Sequence, residues 1–304
     1  MLDSKQKHKK TLISIVGPTA VGKTAMAIQL AQHFDTEIIS ADSRQFYREM
    51  NIGTAKPTPF ELGQAPHHFI NSHTIEADYS AGDFERDALD KITSLFEKKD
   101  IVIMVGGSGL FVQAVCEGLD NLPKALPEVR EQLNKRFETA GIVPLQEYLK
   151  EVDPIYYNQV DLSNVQRVIR ALEVFETTGL PFSNFLNHTK SERPFNIVTI
   201  GLNMDRADLY ERINKRVDLM LQEGLLEEVK SLIPYQHKPA LMTVGYAEIF
   251  AFLDGTISWE EAVDKIKQNS RRYAKRQITW FKKNKDTTWF DPEDKNKIID
   301  YIQS

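Results

Sequence analysis

Apolar and polar positions alternate between two rhythms over the first third of the chain. The run Leu12-Ile13-Ser14-Ile15-Val16 is short, β-branched and apolar, as a strand buried on both faces of a parallel sheet should be. Ala25 to Phe34 then carries apolar residues at helical spacing, and Glu37-Ile38-Ile39-Ser40 reads as a second strand. A polar connection from Met50 to Thr58 follows. Beyond it, Ser80 is placed to cap a helix to about Lys98, with Phe84, Ala88, Ile92 and Leu95 on its buried face. Ile101 to Val105 is an all-apolar third strand, leading into Gly106-Gly107-Ser108-Gly109-Leu110 and another helical pattern. Three strand–helix units in the first 117 residues predict a parallel sheet.

From Leu122 to about Pro194 strand-like runs vanish and prolines separate helical stretches. The clearest helix, Asn164 to Thr177, puts Val165, Val168, Ile169, Leu172 and Phe175 on one face, and Gly179-Leu180-Pro181 stops it. A strand at Ile197–Leu202 can rejoin the sheet, and Arg206 to Met220 is the next helix, with Arg212 and Arg216 on one face. The chain thus divides into a core at 1–121, a helical insertion at 122–194, and a return to the core with a basic helical region at 195–304.

Composition narrows the class. Hydrophobic residues at 41% and charged residues at 27% are ordinary for a globular protein, and no apolar run is long enough to cross a bilayer. The polar, lysine-rich start Met1 to Lys10 lacks the apolar segment of a signal peptide, so a cytoplasmic location with no membrane partner is expected. The single cysteine, Cys116, excludes an internal disulfide and a cysteine-rich zinc site, and no H-E-x-x-H spacing occurs; His67-His68, beside Phe69-Ile70, reads either as a substrate contact or as a loop end. Net charge is −5, yet nine Lys or Arg and no Asp or Glu lie between Lys265 and Lys285. Within Trp259 to Lys282, Arg271/Lys275 and Arg272/Arg276 are like-charge pairs one helical turn apart, a repulsion that an anionic partner such as a phosphate backbone relieves.

The chemistry centres on Gly17-Pro18-Thr19-Ala20-Val21-Gly22-Lys23-Thr24, which matches the P-loop pattern G-x-x-x-x-G-K-[ST] between a strand and a helix. Backbone N–H groups of such a loop converge on a helix N-terminus and suit a diphosphate; Lys23 adds a full charge, and the Thr24 hydroxyl is a ligand for Mg²⁺. The expected fold is α/β, a P-loop NTPase-like parallel sheet core with helices on both faces and a helical insertion domain. The motif specifies a diphosphate rather than ATP. A switch GTPase needs N-K-x-D, which is absent. A phosphotransferase usually ends a second apolar strand in a metal-binding Asp, whereas Ile101–Val105 ends in Gly-Gly-Ser-Gly. A kinase stays open on these residues, since Asp42, at the end of a strand taken to lie beside the P-loop strand, can serve as a base.

Further blocks resemble one family, the tRNA dimethylallyltransferases: Asp42-Ser43-Arg44-Gln45-Phe46-Tyr47, Asn51-Ile52-Gly53-Thr54-Ala55-Lys56-Pro57, Tyr79-Ser80-Ala81-Gly82-Asp83-Phe84 and Gly106-Gly107-Ser108-Gly109-Leu110-Phe111. Gln166 to Val174, Val244-Gly245-Tyr246 and Tyr273 to Phe281 continue the likeness over nearly the whole chain. The resemblance implies transfer of a dimethylallyl group from dimethylallyl diphosphate to N6 of the adenosine just 3′ of the anticodon in tRNAs reading codons that begin with U. By position it implies diphosphate binding at Gly17 and Thr19 to Thr24 and catalysis by Asp42, Ser108 and Arg216. It also implies tRNA contacts from Asp42, Ser43, Arg44, Gln45, Ser108, Arg130, Gln166, Arg167, Val168, Ile169 and Arg170. Lys275 and Arg276 join these from the basic segment. Many relatives have Thr at Ser108 and Tyr at Phe111; serine keeps the hydroxyl, while Phe111 loses a phenol. The zinc finger of eukaryotic relatives is absent, so the bacterial type is the better match. The insertion and the basic helix are expected to clamp an anticodon stem-loop, with one RNA per monomer.

Overall fold

The computed structural model describes residues 10–124, 126–186 and 190–304; the start of the chain, Met1–Lys9, lies outside them. They form two compact units, one from the chain up to Glu117 together with Glu192–Ser304, the other Gly118–Ser191, where the sequence pattern changes at 122 and 194. The first unit opens with β1 (Thr11–Val16), α1 (Lys23–His33), β2 (Ile38–Ser40), α2 (Pro59–Leu62), β3 (His67–His68), α3 (Ala81–Phe96), β4 (Ile101–Gly106) and α4 (Gly109–Glu117). The second unit supplies α5 (Pro127–Ala140), α6 (Val143–Val152), α7 (Pro154–Tyr157) and α8 (Val165–Thr178). The chain then returns through β5 (Asn196–Leu202), α9 (Arg206–Gln222), α10 (Leu225–Ser231), α11 (Tyr246–Leu253), α12 (Trp259–Phe281), β6 (Thr287–Phe290) and α13 (Lys295–Gln303).

Six strands pair in parallel in the order β3-β2-β4-β1-β5-β6. Parallel pairing leaves crossover helices on the sheet faces, and the two-residue period of a strand sorts its side chains between them. Ile13 and Ile15 pack with Ile103, Ile200 and the α1 residues Met26, Ala27 and Leu30. Leu12 and Val16 face the other way, onto Phe84, Ala88 and Ile92 of α3 and Val112 and Val115 of α4.

Two expectations change at the sheet. His67-His68 is an edge strand rather than a loop end, pairing with Ile38 and Ile39. And β4 lies between β1 and β2, so Asp42 follows a strand one removed from that of the P-loop. Register still brings the chemistry together. Val16 is level with Gly106 on one side and Gly201 on the other, and Ser40 is level with Val105, so the turns after β1, β2 and β4 leave the sheet at one edge. The chain leaves β1 toward β2 on one side and β4 toward β5 on the other, the reversal at which open α/β sheets form a crevice.

Two blocks of the sequence find a shared structural purpose. The fully buried Tyr246 donates to Glu228 at 2.6 Å, and the same carboxylate accepts from the backbone N–H groups of Asn51, Ile52 and Gly53 at 3.0, 2.8 and 3.1 Å. That clasp fixes the loop whose Thr54 and Ala55 carbonyls accept from Gln45 Nε2.

The Gly118–Ser191 unit has its own core, centred on Val168, Ile169, Ala171, Leu172 and Val174 of α8 packed with Leu133, Leu145 and Leu149. Asn164 caps α8 by accepting from the Arg167 N–H, and Gly179, at φ 72°, ends it. Glu173 is wholly buried on this helix and is met by Arg130 at 3.0 Å and Arg170 at 3.4 Å. No helix among the described residues is long and apolar enough to cross a membrane.

Candidate active site

The loop between β1 and α1 carries three residues at positive φ. Gly17 and Gly22 have φ of 147° and 107°, and Ala20 sits in the left-handed region at 66°, a conformation costing a non-glycine residue about 1 kcal/mol. A Cβ at Gly17 would lie 2.5 Å from the Leu202 carbonyl oxygen, so the close pass over β5 also requires glycine. Lys23, the first residue of α1, donates to the Pro18 carbonyl at 2.7 Å. Burial, and then the nearby Arg216 guanidinium, lower its pKa to about 7, with Asp42 opposing them. Arg216 reaches from α9 to within 3.5 Å of Thr19 Oγ1, and burial lowers its pKa as well, against the pull of Glu61. Two cations crowded and desolvated beside this loop are a pair that a multivalent anion stabilises.

The turn after β2 forms the adjoining wall. Asp42 Oδ1 accepts from the Arg44 N–H at 3.0 Å, and the Ser43 N–H donates to Ser108 Oγ at 2.9 Å, which ties this turn to the one after β4. Ser108 Oγ in turn donates to Ser43 Oγ at 3.1 Å. Gln45 is occupied within the chain: its amide oxygen accepts from Ser40 Oγ at 3.3 Å while its nitrogen serves the two loop carbonyls. The fourth wall is α12. Tyr273 lies where Asp42, Arg44, Arg276 and Ser108 all act on its phenol; burial and the Asp42 charge raise its pKa to about 12 against the other three. One turn on, Gln277 Oε1 accepts from the Thr19 N–H at 2.8 Å and Nε2 donates to the Gly107 carbonyl at 2.9 Å.

Lys23, Thr24, Asp42, Ser43, Arg44, Ser108 and Arg216 therefore belong to one site in the first unit. Arg130, Gln166, Arg167 and Arg170 belong to the second. Within that second stretch Val168 and Ile169 are fully buried, so the expectation that they contact RNA gives way to a packing role; helical geometry leaves Gln166 and Arg167 outside. Arg130 and Arg170 both reach Glu173, and Arg130 also donates to Gln166 at 2.7 Å. The expected run of nine uncompensated charges is also shorter than it reads. Lys265 pairs with Glu261 and Lys267 with Asp218, at 2.7 and 2.6 Å, and Arg271 donates to Asn214 at 2.6 Å. Among the described residues Arg272, Lys275, Arg276, Lys282, Lys283 and Lys285 make no ion pair, and Lys275 and Arg276 are exposed.

Tyr273 and Gln277 lie in the block Tyr273 to Phe281 that resembles the family, but neither is among the expected site residues. A polar glutamine on the inner stripe that also carries Ala274 and Phe281 is the one local signal for Gln277; nothing local marks Tyr273.

The geometry can be set beside known proteins. A model of the IPP transferase family matches residues 45–284. A tRNA dimethylallyltransferase of Christiangramia forsetii is 53% identical over 294 residues, covering 96% of this chain and 97% of that one. The crystal structure of the tRNA isopentenylpyrophosphate transferase of Bacillus halodurans superimposes with a TM-score of 0.72 at 39% identity, covering 97% and 96% of the two chains. A eukaryotic dimethylallyltransferase captured acting on tRNA gives 0.79 at 28% identity over 94% of this chain and 74% of its own. With the family model, the relatives and near-complete coverage all in agreement, the chain belongs to the IPP transferase family of tRNA dimethylallyltransferases.

Proposed function

We propose that the protein transfers the dimethylallyl group of dimethylallyl diphosphate to N6 of the adenosine 3′-adjacent to the anticodon in tRNAs that read codons beginning with U, releasing diphosphate. The observation that carries this reading is the meeting of Lys23, Arg216 and Asp42 in one site beside α12, on which Lys275 and Arg276 are exposed.

An exocyclic adenine amine is a weak nucleophile. Asp42, hydrogen-bonded to the Arg44 N–H through one oxygen, takes the N6 proton as nitrogen bonds to the allylic carbon. The carbon–oxygen bond to the diphosphate breaks in the same event. Charge moving onto the leaving diphosphate is met by the loop N–H groups, Lys23 and Arg216, with the Ser108 hydroxyl beside them. Thr24 puts a hydroxyl in the first turn of α1, and among the described residues no three His, Cys, Asp or Glu side chains gather to hold a metal by protein ligands alone. Thr24 would hold Mg²⁺ there, and the ion would supply positive charge to the leaving group.

The target base must leave the anticodon-loop stack to reach this site, which is cheapest in a single-stranded loop. Lys275 and Arg276 bind its phosphates, as does Arg167 from the helical unit, with Ser43 and Arg44 as polar contacts; Gln45 acts through the loop carbonyls it holds, and Arg130 and Arg170 are committed to Glu173. A tRNA substrate fits the cytoplasm, and one site per loop fits a monomer. The test offers the protein equal ATP and dimethylallyl diphosphate with tRNA and Mg²⁺ and weighs the RNA. A gain of the mass of one dimethylallyl group is expected; a gain of phosphate, or consumption of ATP, makes the protein a phosphotransferase instead.

A further inference from the structure

Gln277 is buried on α12, and both ends of its carboxamide are committed to loops far away in sequence. Its oxygen accepts from Thr19 in the turn after β1, and its nitrogen donates to Gly107 in the turn after β4. The fit leaves no slack, because a Cβ at Gly107 would collide with Gln277 Nε2 and one at Gly109 with the Trp280 indole, one turn further along α12. Lys275 and Arg276, the two residues before it, are exposed.

We propose that Gln277 is a positioning residue that uses one amide to set the spacing of the two phosphate-facing turns, making α12 a single rigid link between the exposed RNA-binding Lys275 and Arg276 and the donor site. This rests on the reading of the P-loop as a diphosphate site. The requirement is chemical as well as steric. One acceptor and one donor are needed 2.8 and 2.9 Å from their partners, and only an amide or a protonated acid supplies both on this stem.

Gln277→Glu makes the requirement titratable. As a carboxylate it can accept from Thr19 but turns a second acceptor toward the Gly107 carbonyl; as a neutral acid it restores both bonds. Inorganic pyrophosphate binding by calorimetry and the single-turnover prenyl-transfer rate, each taken as a ratio to wild type from pH 5 to 8, read the effect. Gln277→Glu should bind pyrophosphate roughly 10- to 100-fold more weakly than wild type near pH 8 and return toward wild type as pH falls, with tRNA affinity unchanged. Gln277→Met should be impaired equally at every pH. A Gln277→Glu ratio that stays flat with pH, or a loss confined to tRNA affinity, overturns the proposal. If Gln277→Glu fails to fold near pH 8, Gln277→Met decides alone: pyrophosphate affinity equal to wild type would overturn it. Failure of wild type to bind pyrophosphate at any pH would instead sink the diphosphate reading beneath it.

Discussion

Two cationic regions meet at α12, one buried and one exposed, and they hold their charge under different conditions. Inside, Lys23 and Arg216 are desolvated, close to each other, and both lowered in pKa by burial. Outside, Lys275 and Arg276 stand in solvent among neighbours of the same sign. A buried pair of this kind recognises charge density and is tied to proton binding, which suits a compact diphosphate. Exposed cations recognise a line of charge and work by displacing counterions, which suits a nucleic-acid backbone. On the proposed function, the same side-chain chemistry serves the diphosphate where it is buried and the RNA where it keeps its water.

If the comparison holds, changes in the buried region should damage the chemical step while tRNA binding survives. The largest effect is expected for Asp42→Asn: a loss of roughly 10²–10⁴-fold in single-turnover rate at saturating tRNA and donor, with both affinities nearly unchanged. Restoration of much of the rate by added Mg²⁺, together with weakened donor binding, would make Asp42 a metal organiser instead. Next is Lys23→Met, expected to cost roughly 10²–10³-fold with dimethylallyl diphosphate and to leave the salt dependence of tRNA binding intact. A changed salt slope in this variant would merge the two regions into one.

Protonation sharpens the contrast further. With its pKa lowered to about 7 from 10.5, Lys23 is mostly neutral near pH 8.5, and a bound diphosphate raises the pKa again. Pyrophosphate binding near pH 8.5 should therefore take up close to one proton per protein, falling toward none as pH drops below the folded pKa, where the ammonium is already charged. Calorimetry in buffers of different ionisation enthalpy counts that proton, and Lys23→Met should abolish the uptake.

How far the site was legible follows from how local its determinants are. The P-loop strand, loop and helix were readable because period, glycines and Lys23 lie within about a dozen consecutive residues, and the fold class followed from repeated strand–helix units. The position of β4 between β1 and β2 was not, since β2 ends the unit that follows β1 and nothing in its three residues says which neighbour it takes. β3 and β6, of two and four residues, are too short to show a period. Val168 and Ile169 were visible as an apolar face, but the family motif around them outweighed that signal. Gln277 meets its partner Thr19 across 258 residues, a relation that no local pattern encodes.

The smallest expected effects separate residues inside the basic run itself. Lys275→Ala and Arg276→Ala should each weaken all substrate tRNAs about equally and lower the log–log salt slope by roughly 0.7–0.9 per lost phosphate contact, leaving pyrophosphate binding untouched. Lys267 is only eight residues before Lys275 on α12, and its ammonium already rests 2.6 Å from Asp218 of α9. An ammonium committed to a carboxylate has few condensed counterions to displace, so Lys267→Ala should leave the slope as it is. Its affinity should fall slightly at low salt, because Asp218 then faces the RNA without compensation, and that fall should vanish as salt screens it. Filter binding of one tRNA across salt concentration compares all three variants. An equal loss of slope in Lys267→Ala would mean that the ion pair opens on docking and that the RNA-binding face extends over α9.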